Sequence, residues 1–255
     1  NTGEEKNYPL SENSSDNTAI FDFRVIDSGT VWINNERGLK KLDVETNTYT
    51  QFSLTSPFIV ADTLGVTHMT LTEDDKIWSM TIDVPLDAAR QTFGTLLHKF
   101  DPETGIFSHV NIDQNYLDAL NHGFAAAIMT DSKGDVWISK SNGLVHFDVS
   151  EEHFTWYNED DGLADLFVLE AIEDNSGMIW LTTQYGLSMF DPVRNIFRNF
   201  ERSDGLRPVR MRTKSIMKRD NGEIVIIGYG GLNIIDPDAI EEYGTAPNAI
   251  ITELS

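Results

Sequence analysis

The sequence predicts an all-β fold, a β-propeller of four-stranded antiparallel blades, and three observations carry that prediction. A module of short alternating strands joined by Asp- and Gly-containing turns recurs five times along the 255 residues. The copies share one internal offset, and they repeat at a period of more than forty residues. Such a period, at about four strands per unit, is that of a propeller blade, whose sheet buries its faces only against neighbouring blades.

The module is clearest from Met178 to Asp191. Ile179, Trp180 and Leu181 alternate about a first strand, Gln184, Tyr185 and Gly186 reverse the chain, and Leu187 to Phe190 form a second. Alternating β-branched and aromatic residues broken by Gly at the reversal mark a hairpin. Upstream, Glu173 to Gly177 is a turn, since Asp and Asn bond their own backbone and Gly accepts positive φ. Asp191 and Pro192 close the second strand, because Pro has no N–H to donate to a ladder.

The offset is the strongest evidence of repetition. Trp32 precedes Asp43, Trp137 precedes Asp148, Trp180 precedes Asp191 and Val225 precedes Asp236, each by eleven residues. Between them stand Gly38, Gly143, Gly186 and Gly231. The remaining copy runs from Trp78 to Asp101, and its extra residues, about 83–93, are expected to elaborate a loop without making a new domain.

Blades are accordingly expected at 19–60, 61–120, 121–160, 161–206 and 207–255, with 1–18 as the outer strand of a preceding or closing blade and its linker. Innermost strands are expected at 19–27, 67–73, 125–131, 167–174 and 213–220, and outermost strands at 48–54, 106–112, 153–157 and 196–200. The five repeats read as an arc of a larger, seven-bladed propeller or, alternatively, as a closed five-bladed ring.

Composition sets outer limits. Hydrophobic residues make up 40% of the chain, which excludes wholesale disorder. There is no cysteine, so disulfides and thiolate metal sites are excluded. The formal net charge of −22 argues against nucleic acid or an anionic membrane as partner, since both demand Lys and Arg. Much of that charge reads as turn chemistry: Asp27, Asp74, Asp131, Asp174 and Asp220 as one repeated position, Asp43, Asp101, Asp148, Asp191 and Asp236 as another.

The run from Glu173 through Trp180, Gly186 and Leu187 to Asp191 and Pro192, followed by Phe197, Phe200 and Asp204-Gly205-Leu206, resembles the regulator-propeller repeat. Those repeats build extracytoplasmic sensor domains of bacterial two-component systems, hybrid histidine kinases among them. The resemblance covers nearly the whole chain, with blade two blurred by its insert. Residues 246–254 resemble the segment that leads, in that family, towards an immunoglobulin-like domain. The resemblance implies a periplasmic location, as the extracytoplasmic part of an inner-membrane protein. It also implies partners in the rest of the sensor, namely that domain and a second propeller, with a homodimer among the assemblies it allows.

In a propeller, the loops entering each innermost strand and the turns between second and third strands lie on one face, where ligands sit. That face is expected to carry Asn35, Arg37, Arg90, Lys140, Asn142, Gln184, Tyr185 and Tyr229. Rings stack on apolar sugar faces while amides and hydroxyls take sugar hydroxyls, so the set suits an oligosaccharide. The competing reading is that these are hairpin tips in water. Arg207, Arg210 and Arg212 enter the innermost strand of blade five and offer forked donors to a carboxylate or sulfate, or else pair with Asp160, Asp161 or Asp204.

The six histidines show no metal-ligand spacing, and His68 and His122 read as solvated loop residues near the ligand face. No catalytic motif occurs, so no catalytic residue, metal or cofactor is expected. Asp83, Asp87, Asp118 and Glu170 are the unique acids available for enzymatic work. Three functions stand: a sensor module that binds an oligosaccharide without turning it over, a scaffold propeller that holds another protein, and a polysaccharide lyase or glycosidase.

Overall fold

Residues 20–35, 37–54, 67–72, 74–87, 92–111, 113–120, 123–184, 186–200, 204–206, 210–229 and 231–240 are described by the structure, a computed structural model; for 82–87, 92–94 and 210–212 it describes the backbone alone. The first blade contains β1 (Ile20–Val25), β2 (Thr30–Asn35), β3 (Gly38–Asp43) and β4 (Thr48–Ser53). The second contains β5 (His68–Leu71), β6 (Ile77–Asp87), β7 (Thr92–Asp101) and β8 (Ile106–His109), followed by a helix, α1 (Gln114–Leu120). Blade three is β9 (Ala125–Thr130), β10 (Val136–Lys140), β11 (Gly143–Asp148) and β12 (His153–Tyr157). Blade four is β13 (Val168–Glu173), β14 (Ile179–Thr183), β15 (Leu187–Asp191) and β16 (Ile196–Phe200), and blade five is β17 (Arg210–Lys218), β18 (Ile224–Tyr229) and β19 (Gly231–Ile235). Each sheet pairs its strands in sequence order and antiparallel, four strands in the first four blades and three among the described residues of the fifth. These are the five antiparallel blades that the repeats predict, arranged as a five-bladed propeller.

The aspartates before the third-to-fourth strand turns do one job in every blade. Asp43, Asp101, Asp148, Asp191 and Asp236 each accept backbone N–H groups two or three residues on, at 2.8 to 3.4 Å. Four residues after the first four of them the backbone turns left-handed, at Asn47, Gly105, Glu152 and Asn195. In blade five Pro237 begins a short 3-10 turn instead.

The first turn of the blade corrects the expected equivalence. Its N–H-to-carbonyl closure is made by Ile26, Thr72, Asp131, Asp174 and Arg219, each bonding the residue four further on at 2.8 to 3.0 Å. Asp27, Asp74 and Asp220 lie one or two places inside the turn, so only two of the five acids share a role. Asp131 and Asp174 use one oxygen on two backbone N–H groups and the other on the indole Nε1 of Trp137 and Trp180, at 2.9 and 2.7 Å. Trp137 and Trp180 are thus fixed by their own turns.

The tryptophans then join the blades. Trp32 packs edge-on against Phe100, Trp78 against Phe147 and Trp137 against Phe190, with ring centroids 5.5 to 5.8 Å apart. In each case the phenylalanine is the residue before the turn aspartate of the next blade. Burying one Trp removes roughly 200 Å² from water, about 5 kcal/mol before the ordering entropy is subtracted. Four hydrophobic clusters result, one at each junction from blade one to blade five.

Among the described residues no such cluster joins blade five back to blade one. There the motif changes, with Val225 at the Trp position and Leu42 at the Phe position. Phe23 and Val25 on blade one, and Ile227, Leu232 and Ile234 on blade five, are more than half exposed.

Two elements depart from expectation. The insert of blade two extends a hairpin, with Val84 opposite Gly94 and Asp87 opposite Thr92, and its two register shifts absorb the extra residues. Helix α1 was not foreseen; Asp113 caps it by accepting the Tyr116 N–H at 2.9 Å. Its Asn115 pairs both ways with the backbone of Phe154, at 2.7 and 2.8 Å, so the helix closes the open edge of β12. The expected strand within 1–18, the immunoglobulin-leading segment at 246–254 and residue His122 lie outside the described residues.

Candidate axial site

The first strands of successive blades, β1, β5, β9, β13 and β17, pack on one another and line the axis. Register places Asp22 opposite Asn34, His68 opposite Met80, Ala127 opposite Ser139 and Glu170 opposite Thr182. Each of those partners lies two residues beyond its blade's tryptophan, so the four form one layer. They lie at the entering ends of their strands, beside the turns between second and third strands, which is the face expected to meet ligand.

A local irregularity recurs beneath this layer. One extra residue stands at Phe21, Ala126 and Leu169, where the register slips before the layer residue. A bulge of this kind bends the strand and re-aims the next side chain. In blade five it is larger: four residues lie between Met211 and Ile216, facing one between Gly228 and Ile226. Lys214 adopts φ 61° inside it.

Charged groups from blades one, four and five meet here, with His68 of blade two beside them. Asp22, only 4% exposed, accepts on one oxygen from Arg24 Nη1 at 2.8 Å and from Lys214 Nζ at 2.7 Å. Its backbone N–H donates to Asn34 Oδ1. Asn34 is fully buried and its Nδ2 has no partner among the described residues, and the buried Ser215 Oγ has none among them either. A buried amide left unpaired costs about 1–3 kcal/mol, so orphan donors mark a place where a further acceptor fits.

Burial pushes the Glu170 carboxyl above the usual carboxylate range, while the N–H groups of Ser215, Ile216 and Lys214 oppose the rise. Ser215 N–H donates to Glu170 Oε2 at 2.9 Å. Blade four's carboxylate thereby seats the bulge of blade five. The half-buried His68 is depressed chiefly by burial, against the pull of Asp22, which leaves it neutral at pH 7. It is an axial side chain, not the solvated loop residue the sequence suggested.

The sequence-predicted residues take several places. Asn35 is buried and braces its own turn, accepting from Arg37 N–H at 2.8 Å and donating to Gln51 at 3.2 Å. Lys140 is fully buried, not presented to solvent; its Nζ donates to Ala119 O at 3.1 Å and closes the C-terminal end of α1, where a cation is favoured. Burial lowers its pKa to about 8. Asn142 accepts the Trp156 indole on its carbonyl at 3.0 Å, and its side-chain oxygen is buried without a partner among the described residues. Gln184 N–H bonds Phe167 O at 3.1 Å. Arg37 and Tyr229 are exposed, and Tyr229 stands opposite Arg210 in the ladder. Arg210 and Arg212 fall within β17, which starts earlier than predicted; Arg90, Tyr185 and Arg207 lie outside the described residues.

Asp22, Arg24 and Lys214 were missed as site residues. The signal was present: Asp22 and Glu170 are acids inside apolar strands that the repeat makes innermost, and charge there demands a partner.

On the opposite face, Asp131, Asp135 and His146 approach one another beside a cleft of about 750 Å³. Their oxygens are engaged by Trp137, Val149 and His146 and by turn N–H groups, so the group is a braced turn.

No protein-family model and no curated protein matches the sequence. Solved structures match the fold. The extracellular domain of BT3049 from B. thetaiotaomicron, named as a hybrid two-component system, aligns over 87% of this chain at TM-score 0.65 and 19% identity. That of BT4673 from the same organism aligns over 91% at TM-score 0.63 and 16% identity. The chain spans 28% of the length of each. Virginiamycin B lyase from Staphylococcus aureus aligns over 89% of this chain and 84% of its own at TM-score 0.51 and 12% identity. The chain therefore has the propeller fold of extracellular sensor domains, and a lyase shares that fold more distantly. No helix among the described residues is long and apolar enough to cross a membrane.

Proposed function

We propose that the chain is the ligand-sensing propeller of a periplasmic two-component sensor, binding an oligosaccharide at the entering end of its axis without turning it over. The observation that carries this reading is the axial layer: charged and amide groups from blades one, four and five converge there, and buried donors have no partner among the described residues. A propeller built only to be stable would fill that position with apolar side chains. Because the layer is shared among blades, an occupant changes how blades one, four and five bear on one another. That shift, passed to the rest of the sensor or across a dimer interface, is the signal.

A second reading has its own support. Glu170, raised by burial, and neutral His68 share one layer, and a carboxyl beside an imidazole is a pair that general acid–base chemistry uses. Calorimetry over an oligosaccharide panel, with product analysis of the same samples, separates the two. Binding with no product supports the sensor, and product formation transfers the assignment to the enzyme. Silence across the panel together with capture of a defined protein partner would leave the scaffold reading in place.

A further inference from the structure

Resting on the sensor reading, we infer that the axial site takes an oxyanion, a carboxylate or sulfate ester carried on a hydroxylated ring, and that Lys214 and Arg24 receive it. Glu170 is met by the backbone N–H groups of the β17 bulge, and Asp22 Oδ1 accepts from Arg24, from Lys214 and from the Phe23 N–H. Two cations therefore serve one carboxylate. Arg24 makes its hydrogen bonds through Nη1 alone among the described residues, to Asp22 and to Phe23 O at 2.9 Å. The side chains of Arg24 and Lys214 are 39% and 59% exposed, so their remaining N–H groups face solvent.

The buried orphans point the same way. Asn34 Nδ2 is a donor, held beside Asp22 because its own Oδ1 accepts the Asp22 N–H. Ser215 Oγ, next to Lys214, donates or accepts. Donors in excess call for an acceptor-rich guest, and charged N–H···O⁻ bonds are about twice as strong as neutral ones. The bulge adds placement: Glu170 seats it, and the left-handed Lys214 directs its amine across to blade one. An oxyanion bound here bridges the two end blades through Lys214 and Arg24 and competes with Asp22 for them.

The experiment is a calorimetric titration of the chain with D-glucuronate, glucose 6-sulfate and glucose at constant ionic strength, and with acetate as charge without a ring. The expected result is that glucuronate or the sulfate binds at least tenfold tighter than glucose, with acetate weaker than either. Lys214→Met should weaken the charged sugar tenfold or more and leave glucose unchanged, and Lys214→Arg should restore most of the loss. Which charged sugar binds tighter distinguishes a carboxylate source from a sulfate source. Glucose binding as tightly as both charged sugars, or a Lys214→Met variant that binds them normally, overturns the oxyanion inference and leaves the sensor reading standing. If none of these sugars binds and no neutral oligosaccharide of the panel does, both readings fall.

Discussion

Lys214 of blade five donates to Asp22 of blade one at 2.7 Å, across 192 positions of sequence. The pair ties together the two blades between which no hydrophobic cluster is found among the described residues. Its partners are unequal, since the aspartate is 4% exposed and the lysine side chain 59%.

That inequality makes a prediction for urea unfolding. Asp22→Ala should cost about 1–3 kcal/mol, because a buried acceptor of several donors is lost. Lys214→Ala should cost under about 1 kcal/mol, since the lysine is largely solvated and Arg24 remains. Lys214→Gly should be about 1 kcal/mol more stable than Lys214→Ala, as both lose the pair but glycine accepts φ 61°. Equal stability of the Ala and Gly variants would contradict the left-handed bulge.

The turn acids should separate sharply. Asp174→Ala removes the acceptor of Trp180 and two backbone groups from a site 5% exposed, and is expected to cost about 2–4 kcal/mol with a shift in tryptophan emission. Asp220→Ala, at an exposed place in the turn of blade five, should change stability by less than about 0.5 kcal/mol. Comparable losses would restore the equivalence that the sequence suggested.

Acid should act through His98. This imidazole is fully buried on β7, its Nδ1 2.8 Å from that of His109, and burial depresses its pKa to about 3. In the unfolded chain it titrates near 6.5, so the unfolded state gains a proton first as pH falls. Its contribution is complete above about pH 6.5 and is lost towards pH 3, at up to about 1.4 kcal/mol per pH unit. Unfolding measured between pH 7 and 5 should show a flatter slope for His98→Asn than for the unaltered chain. Parallel slopes would mean that His98 is not buried neutral.

Lys140→Met should leave sugar affinity unchanged and raise stability at pH 7 by about 1–2 kcal/mol, because a buried ammonium is replaced by an apolar chain of similar length. The advantage should shrink as pH climbs from about 8 towards 10.5. Over that range folded Lys140 has already lost its proton while the unfolded chain still holds one, so the unaltered protein gains stability. A variant that loses sugar affinity would return Lys140 to the binding face.

The repeat was legible because each blade must solve the same local problem with the same residues. Asp at the third-to-fourth strand turn caps its own backbone, and the eleven-residue offset sets it at the same distance from the Trp position in four of the five blades. Residues of the candidate site were harder to read. Lys140 and Asn142 stand at a hairpin tip in sequence, yet α1 folds over that tip and buries the lysine. Asp22 and Lys214 are too far apart in sequence for any local pattern to connect them.

By itself the sequence determined the blade: strand order, the aspartate of the third-to-fourth strand turn and the five-fold recurrence, all of which follow from interactions within about forty residues. The tertiary structure alone decided what the axis contains. Bulges at Phe21, Ala126 and Leu169 and the wider one around Lys214 set which side chains share the axial layer. That outcome depends on how five separate sheets are rotated about a common centre, and no single repeat encodes it.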